Sequence, residues 1–408
     1  MAHPKILAFI LAGGRGERLF PLTVDRSKPA VPFGGRYRIV DFVLSNFINS
    51  NIFSIYLLIQ YKSQSLIEHI RENWVLSSVT PNHFVALVPP QMRMGPEWFQ
   101  GTADAVFQNL NLIRTHKPEL VAIFGADHIY RMDIRQMVDF HLQTDAYATV
   151  AAIPVPVKES SSFGIIRCDQ SGKIYGFDEK PANTEPMPGR DDMALASMGN
   201  YIFRADILIE SLVKAQHNKE HDFGKHILPA LLSTKKLYAY DFSKNRLPGI
   251  RDYEEEGYWR DVGSIKAYFN AHRDMLGEKP RFELDNELWP IYPSHSKNTA
   301  AKVLKGEIIN SYIAEGVTVH NARISNSVIR RGVKIGDEVS IEDSIIMDYS
   351  IVEKGAKIKN AIIDKLNIIG IGECIGYDEE KDRFRVHIDN SGIRIMPRGK
   401  ADRSKAAD

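Results

Sequence analysis

The sequence of 408 residues predicts an α/β domain with a mostly parallel mixed sheet, followed by a parallel β-helix. Two patterns carry this prediction. In the first half, short apolar runs alternate with segments of helical periodicity, which is typical of right-handed β-α-β units. After about residue 306, apolar residues recur at a step of six, which is typical of hexapeptide repeats in a β-helix.

The alternating elements place the first domain in residues 1–280. We predict strands at 5–11, 54–58, 120–124 and 147–153, and helices at 41–49, 62–74, 102–116 and 135–143. In sheets of this kind, ligands bind outside the carboxyl ends of the strands. This rule singles out two loops, residues 12–19 and 125–128.

The hexapeptide region is assigned to residues 306–408, including a C-terminal tail. Its apolar residues form three triplets with a step of six inside each: Ile329, Ile335 and Ile341; Ile346, Val352 and Ile358; Ile363, Ile369 and Ile375. Ordinary sheet strands would instead alternate with a period of two. Residues 281–305 contain prolines and polar residues with weak periodicity, which predicts a linker.

Composition excludes several classes of protein. The net charge of +1 gives no electrostatic footprint for nucleic acid. No run approaches the roughly 20 apolar residues that span a bilayer. Cys168 and Cys374 lie far apart and form no metal-binding or disulfide pattern. We expect a cytoplasmic protein without nucleic-acid or membrane partners.

The loop after the first predicted strand has the composition of a phosphate-binding loop. Glycines let the backbone approach a ligand closely, and cations suit a polyphosphate. The loop and the segment that follows it supply three of each: Gly13, Gly14, Gly16, Arg15, Arg18 and Lys28. The alternative is a tight turn with solvated charges. Neither the dinucleotide-binding fingerprint nor the P-loop pattern is present.

Longer motifs show a resemblance to a known family. GGRGERL followed by SKP resembles the signature of sugar nucleotidyltransferases, and PAVPFGGRYRIVDFVLSN (29–46) resembles the ADP-glucose pyrophosphorylases in particular. GTADAV (101–106), GADHIYRMD (125–133), FDEKPA (177–182), ASMGNYIF (196–203), HDFGKHILP (221–229) and YWRDVGS (258–264) follow in family order. The resemblance covers nearly the whole chain. It implies a Rossmann-like nucleotidyltransferase domain, a left-handed parallel β-helix and a homotetramer.

The resemblance also implies an activity. The adenylyl group of ATP would pass to glucose 1-phosphate by in-line displacement, without a covalent intermediate, giving ADP-glucose and pyrophosphate for glycogen (α-glucan) synthesis. Sugar-phosphate or nucleotide effectors would regulate the enzyme. Because two anions must meet, such a site needs cations and a metal ion.

Site roles follow from the matching motifs. Arg15, Lys28 and Asp127 are the expected catalytic residues, and Asp127 and Asp261 the expected ligands of Mg²⁺, a hard cation that is held by carboxylates. The expected ATP contacts are Gly13, Gly14, Arg15, Gly16, Arg18, Lys28, Gln60, Trp98, Gly101 and Thr102. The expected glucose 1-phosphate contacts are Gly164, Glu179, Lys180, Ser197 and Gly199.

Two positions depart from the family pattern. Phe99 replaces a tyrosine of well-known members, which removes a hydroxyl that could bond nucleotide or effector. Asp25 stands where members activated by fructose 1,6-bisphosphate carry a lysine, and an acidic residue there repels a bisphosphate. We therefore expect that fructose 1,6-bisphosphate is not the main activator.

Three alternatives remain open from the sequence. One is a related enzyme that uses UTP, GTP or dTTP, since the glycine loop and the aspartate pair do not select the base. Another is a non-catalytic regulatory subunit, which is expected to have lost metal or phosphate ligands that this chain keeps. The third is a hexapeptide acyltransferase, for which His320 and His387 are the candidate histidines.

Overall fold

The computed structural model describes residues 4–77, 79–91, 97–234 and 236–400. In this part of the chain, a mixed sheet of nine strands forms the centre of the first domain. Its main path runs through Ile174–Glu179, Gly164–Cys168, Met193–Arg204, Leu120–Gly125, Ile6–Ala12, Ser54–Ile59 and Phe84–Val88. Ala148–Pro156 pairs with Met193–Arg204, and Leu237–Asp241 pairs with Ala148–Pro156.

The predicted mostly parallel mixed sheet is confirmed. Met193–Arg204 and Ile174–Glu179 run against the direction that the other strands share. An internal strand of the sheet, Ile6–Ala12, pairs in parallel with a neighbour on each side. Its buried run from Leu7 to Ile10 explains the near-continuous apolar sequence, because helices cover both faces of such a strand.

The helices of the described residues are Ile39–Asn49, Gln64–Asn73, Thr102–Phe107, Leu110–His116, Ile134–Gln143, Ala205–His217, Leu228–Leu231, Ile265–Arg273 and Glu379–Asp382. The single helix predicted over 102–116 is wrong. Asn109 leaves the helical conformation, and its side-chain amide donates to the carbonyl of Ala105 at 2.9 Å. The side chain thereby takes the acceptor that the backbone amide of residue 109 would use in a continuous helix.

Parallel pairing in the second domain confirms the β-helix. Its strands are Lys302–Val303, Gly306–Ile309, Tyr312–Ile313, Thr318–Ser325, Val328–Ile329, Lys334–Glu342, Ile345–Ile346, Ile351–Val352, Lys357–Lys359, Ala361–Ile363, Ile368–Ile369, Cys374–Ile375, His387–Ile388 and Arg394–Met396. All of these pairings are parallel except that of the last two strands with each other. With the hexapeptide repeat, the pairing is that of a left-handed β-helix.

Each predicted triplet occupies one coil of the β-helix. Ile329, Ile346 and Ile363 are paired from coil to coil and form one inward ladder. The second and third residues of the triplets form two further ladders, and all nine side chains are at most 1% exposed. The step of six therefore reports side chains stacked along the axis of the β-helix.

The two domains share a hydrophobic core. Phe33, Phe42 and Tyr268 of the α/β domain cluster with Val328 and Ile345 of the β-helix, and all five are buried. The segment between the domains contributes Phe282 and Ile291 to the same cluster. None of the described helices is long and apolar enough to cross a membrane.

Candidate active site

A cleft of about 870 Å³ opens at the carboxyl ends of Ile6–Ala12 and Leu120–Gly125, where the sheet rule places a ligand site. It brings together most of the residues singled out from the sequence. These are Gly13, Gly14, Arg15, Gly16, Arg18, Lys28, Gln60, Gly101, Thr102, Asp127, Gly164, Glu179, Ser197 and Gly199.

Lys28 joins two carboxylates at one wall of the cleft. Its Nζ lies 2.9 Å from Asp127 Oδ2 and 2.9 Å from Asp261 Oδ1. The carboxylates meet because His128–Tyr130 pairs antiparallel with Trp259–Asp261, with Asp261 opposite His128. Arg18 adds a more exposed cation, with its guanidinium 3.7 Å from Asp261 Oδ2.

Lys28 and Asp127 hold each other in the charged form. Burial by itself would lower the pKa of Lys28, but the two carboxylates outweigh burial and raise it. Burial by itself would raise the pKa of Asp127, but Lys28, His128 and hydrogen bonds hold that pKa well below its usual range. The Lys28 ammonium and the Asp127 carboxylate are therefore both charged at neutral pH where they line the cleft.

The same cluster fits a divalent cation. Ligand atoms of Asp127, His128 and Asp261 all lie within 4.8 Å of one another. Two carboxylates form a donor set that suits a hard ion such as Mg²⁺. His128 was not predicted as a site residue from the sequence. Its Nε2 lies 3.6 Å from Asp127 Oδ1, and its buried Nδ1 has no partner among the described residues.

Gly16 brings the glycine loop against Lys28. Its φ of 64° lies in the left-handed region, and a Cβ there would come within 2.9 Å of the Cβ of Lys28. The hydroxyl of Thr23 donates to the Gly16 carbonyl at 3.0 Å and fixes the turn. A residue with a side chain would be strained here and would push the loop away from Lys28.

Another part of the cleft wall depends on a close approach at Gly101. A Cβ at this position would lie 2.2 Å from the carbonyl oxygen of His221. The next residue, Thr102, donates its hydroxyl to Asp222 Oδ2 at 3.1 Å and accepts from the Phe223 amide at 3.1 Å. Asp222 lines the cleft as well. Its motif, HDFGKHILP, was visible in the sequence, but no role for the residue was predicted from it.

Four of the expected site residues have surroundings that the sequence did not indicate. Trp98 is 54% exposed and does not line the cleft. Lys180 also lies outside the lining, with its exposed ammonium 3.9 Å from Glu179 Oε1. Gln60 uses its amide to bond the backbone of Phe99 in both directions, at 2.7 and 3.3 Å. Asp261 adjoins the cleft through Lys28 and is not part of its lining.

The class of protein follows from comparison with known families. A family model described as "Nucleotidyl transferase" matches residues 7–278, which hold the sheet and the cleft. A second model, described as "GlmU-like, C-terminal hexapeptide", matches residues 295–396 of the β-helix.

Curated relatives narrow the class. A glucose-1-phosphate adenylyltransferase of Thermodesulfovibrio yellowstonii is 62% identical over 97% of this chain and 96% of its own length. Proteins of the same name from an Anaeromyxobacter species and from Thermus thermophilus are 47% and 46% identical, again over nearly the full length of both chains. The chain therefore belongs to the nucleotidyl transferase family, among the glucose-1-phosphate adenylyltransferases.

Proposed function

We propose that this protein transfers the adenylyl group of ATP to α-D-glucose 1-phosphate, giving ADP-glucose and pyrophosphate for α-glucan synthesis. A phosphate oxygen of glucose 1-phosphate attacks the α-phosphorus of ATP, and the bond from that phosphorus to the pyrophosphate oxygen breaks. The observation that carries the proposal is the Lys28 ammonium bonded to Asp127 and Asp261 beside a glycine loop. The full-length likeness to relatives named for this reaction supports the choice of substrates.

The residues around Lys28 position phosphates and balance their charge. Arg15 and Arg18 stand beside the glycines that line the cleft, where they can bind the outer phosphates of a nucleotide. Lys28 lies deeper and is buried, so its charge acts with little screening. No enzyme nucleophile is required, because positioning and charge stabilisation suffice for a displacement of this kind.

Asp127 and Asp261 are proposed to hold Mg²⁺. When bound, the ion neutralises phosphate charge that the protein's cations leave unbalanced. The two carboxylates already share one cation, Lys28, so the site is built for positive charge. His128 lies beside Asp127 and is the first residue of the short strand His128–Tyr130.

The sugar end of the cleft is proposed to lie around Glu179. Gly164 has no side chain to crowd this part of the cleft, where a Cβ would come within 2.9 Å of the Phe177 ring and 3.1 Å of Glu179 Oε2. Ser197 and Gly199 line the same region, and we assign them with Glu179 to the sugar. Lys180 stands at the rim, where its flexible side chain can reach the sugar phosphate.

The alternatives are weaker on specific observations. A non-catalytic regulatory subunit does not need the intact set of Arg15, Lys28, Asp127, Lys180 and Asp261. An acyltransferase would depend on a histidine of the β-helix, but His320 and His387 are exposed and do not line the cleft. The third alternative is a related enzyme that uses UTP, GTP or dTTP, and an assay with each nucleotide distinguishes it from an enzyme that uses ATP.

The test is release of pyrophosphate from glucose 1-phosphate and Mg²⁺ with ATP, UTP, GTP or dTTP in turn, with D127N as the inactive control. We expect release with ATP that is lost in the control. Preference for another nucleotide would keep the mechanism and change the substrate. No release with any of the four, even with sugar phosphates added, would favour the regulatory subunit.

We further propose a cytoplasmic homotetramer that is regulated by sugar-phosphate or nucleotide effectors. Asp25 disfavours fructose 1,6-bisphosphate as the main activator, because its carboxylate repels the phosphates. Assaying a panel of sugar phosphates and nucleotides tests the effectors, and selective strong activation by fructose 1,6-bisphosphate would refute this expectation. Light scattering after size-exclusion chromatography tests the tetramer.

A further inference from the structure

Arg330 of the β-helix reaches into the α/β domain. Its side chain is 1% exposed and donates from Nη1 to the carbonyls of Phe33, at 2.8 Å, and Gly34. Asp348, on the next coil, holds the guanidinium through Nε at 2.9 Å and Nη2 at 3.3 Å. A buried arginine that binds a carboxylate with one edge and two backbone carbonyls with another has a fixed position.

The bonded carbonyls lie just after Lys28 in the chain. Lys28–Ala30 forms a short 3-10 helix and leads directly into the strand Pro32–Phe33. Upstream of Lys28, the buried Arg26 forms an ion pair with Asp364, which also belongs to the β-helix. The segment 26–34, which carries Lys28, is therefore fastened to the β-helix on both sides of that lysine.

The third support of the segment comes from the helix Ile265–Arg273. The Gly34 amide donates to His272 Nε2 at 3.1 Å, and the Tyr268 hydroxyl donates to the Pro32 carbonyl. This helix begins four residues after Asp261, the second carboxylate bonded to Lys28. The segment that carries Lys28 is thus held by Arg330 of the β-helix and also by the helix that follows Asp261.

We propose that Arg330 is a positioning residue for the reaction: through Phe33 and Gly34 it fixes the segment that places Lys28 between Asp127 and Asp261. The inference rests on the proposed function for its kinetic part only. Through this contact, the β-helix is a structural component of the active site. The shift expected from losing this contact is small, yet a displacement of about 1 Å at reacting groups can cost roughly 100-fold in rate.

The test compares R330Q and R330K with R331Q. Arg331 pairs with the same Asp348, at 3.2 Å, but makes no hydrogen bond to Phe33 or Gly34. R331Q therefore removes a neighbouring guanidinium and leaves the contact with segment 26–34 intact. R330K keeps the charge beside Asp348 but lacks the planar fork that reaches both carbonyls.

We expect kcat of R330Q to fall roughly 10- to 100-fold, with KM for both substrates changed less than threefold. R330K should show a smaller loss, and R331Q should stay within twofold of the wild type. Rates are divided by the folded fraction from circular dichroism, so that loss of folded protein does not count. Equal losses in R330Q and R331Q, or no loss in R330Q, would overturn the proposal.

Hydrogen–deuterium exchange gives a readout that does not require activity. Amides of segment 26–34 should exchange faster in R330K and R330Q than in the wild type, while the β-helix coils stay protected. Unchanged exchange in that segment would refute the positioning role. If the wild-type protein makes no ADP-glucose, the proposed function fails, and the exchange comparison still decides whether Arg330 fixes the segment.

Discussion

The Lys28 ammonium donates to Asp127 Oδ2 at 2.9 Å, although the two residues are 99 positions apart in the chain. Sheet topology explains the meeting, because Lys28 follows the loop after Ile6–Ala12 and Asp127 follows the adjacent parallel strand, Leu120–Gly125. The pair joins the segment after the glycine loop to the carboxyl end of that strand, and the β-helix holds the same segment on both sides of Lys28. Its removal is the most direct test of the site.

Replacing Lys28 with methionine should lower the rate of pyrophosphate release by roughly 100- to 1000-fold, because the site loses its most buried cation. The pKa of Asp127 should also rise, since Lys28 is the main charge that lowers it. Steady-state kinetics over a range of pH measures both effects. K244M, which removes an exposed lysine of the same domain, is the matched control and should behave as wild type.

Acid should destabilise the protein in part through His272. Burial lowers the pKa of this histidine to about 3, whereas an unfolded histidine titrates near 6.5. At a pH between these two pKa values, the histidine is protonated in the unfolded state and neutral in the folded state. The free energy of unfolding therefore falls as the pH decreases from about 6.5 towards 3. The folded histidine stays neutral, accepting from the Gly34 amide and donating to the Tyr268 carbonyl.

H272Q should therefore lose less stability than the wild type on going from pH 7 to pH 5, by about 2 kcal/mol. Thermal unfolding midpoints at the two pH values give the measurement. H217Q is the control, because His217 is exposed at the end of the helix Ala205–His217. If H272Q and wild type lose stability in parallel, the buried neutral histidine is not a source of the acid sensitivity.

G101A should disturb the wall of the cleft. The new Cβ would overlap the His221 carbonyl, so the chain has to move apart where Thr102 bonds Asp222 and Phe223. We expect a lower unfolding midpoint together with a raised KM for ATP. G14A is the control for stability alone, because nothing lies within 4 Å of a Cβ at Gly14. Equal midpoints for the two variants would contradict the close approach.

The β-helix offers a matched pair on one strand. Ile369 is fully buried in a ladder, whereas its neighbour Ile368 is 45% exposed. I369A should cost roughly 2–5 kcal/mol of unfolding free energy, the range for deleting a buried aliphatic side chain. I368A should cost well under half of that. Chemical unfolding followed by circular dichroism compares them, and equal losses would contradict the inward assignment of the triplets.

The β-helix was predicted residue by residue, because its signal is local: each inward position repeats along the sequence at a fixed step. The sheet was predicted from its alternating elements, and the strand rule located the cleft. The break at Asn109 was missed because helical periodicity on both sides of that residue continues across it. The break is visible only in the structure, where the side chain of Asn109 donates a hydrogen bond to the Ala105 carbonyl.

The contact of Arg330 could not be predicted from the sequence. Its partners in the α/β domain are backbone carbonyls, which any residue provides, so no pattern of side chains marks the interaction. Asp222 carried a visible signal, the HDFGKHILP motif, but its bond to Thr102 depends on how distant segments pack. Patterns along the chain report local and repeating constraints, whereas such contacts arise from tertiary packing.

The register of the β-helix fixes the distance between its two main contacts with the catalytic domain. Arg330 and Asp364 each follow an inward residue of one ladder, Ile329 and Ile363, which stand two coils apart with Ile346 between them. At the usual spacing of neighbouring strands, two coils measure about 10 Å. The number of coils thus sets the distance between the two residues that hold the segment of Lys28. A whole coil inserted between Arg330 and Asp364 would keep every ladder intact and yet increase that distance. Coils added beyond Asp364 would leave that distance unaltered. The β-helix can therefore lengthen at its far end without displacing the segment that carries Lys28.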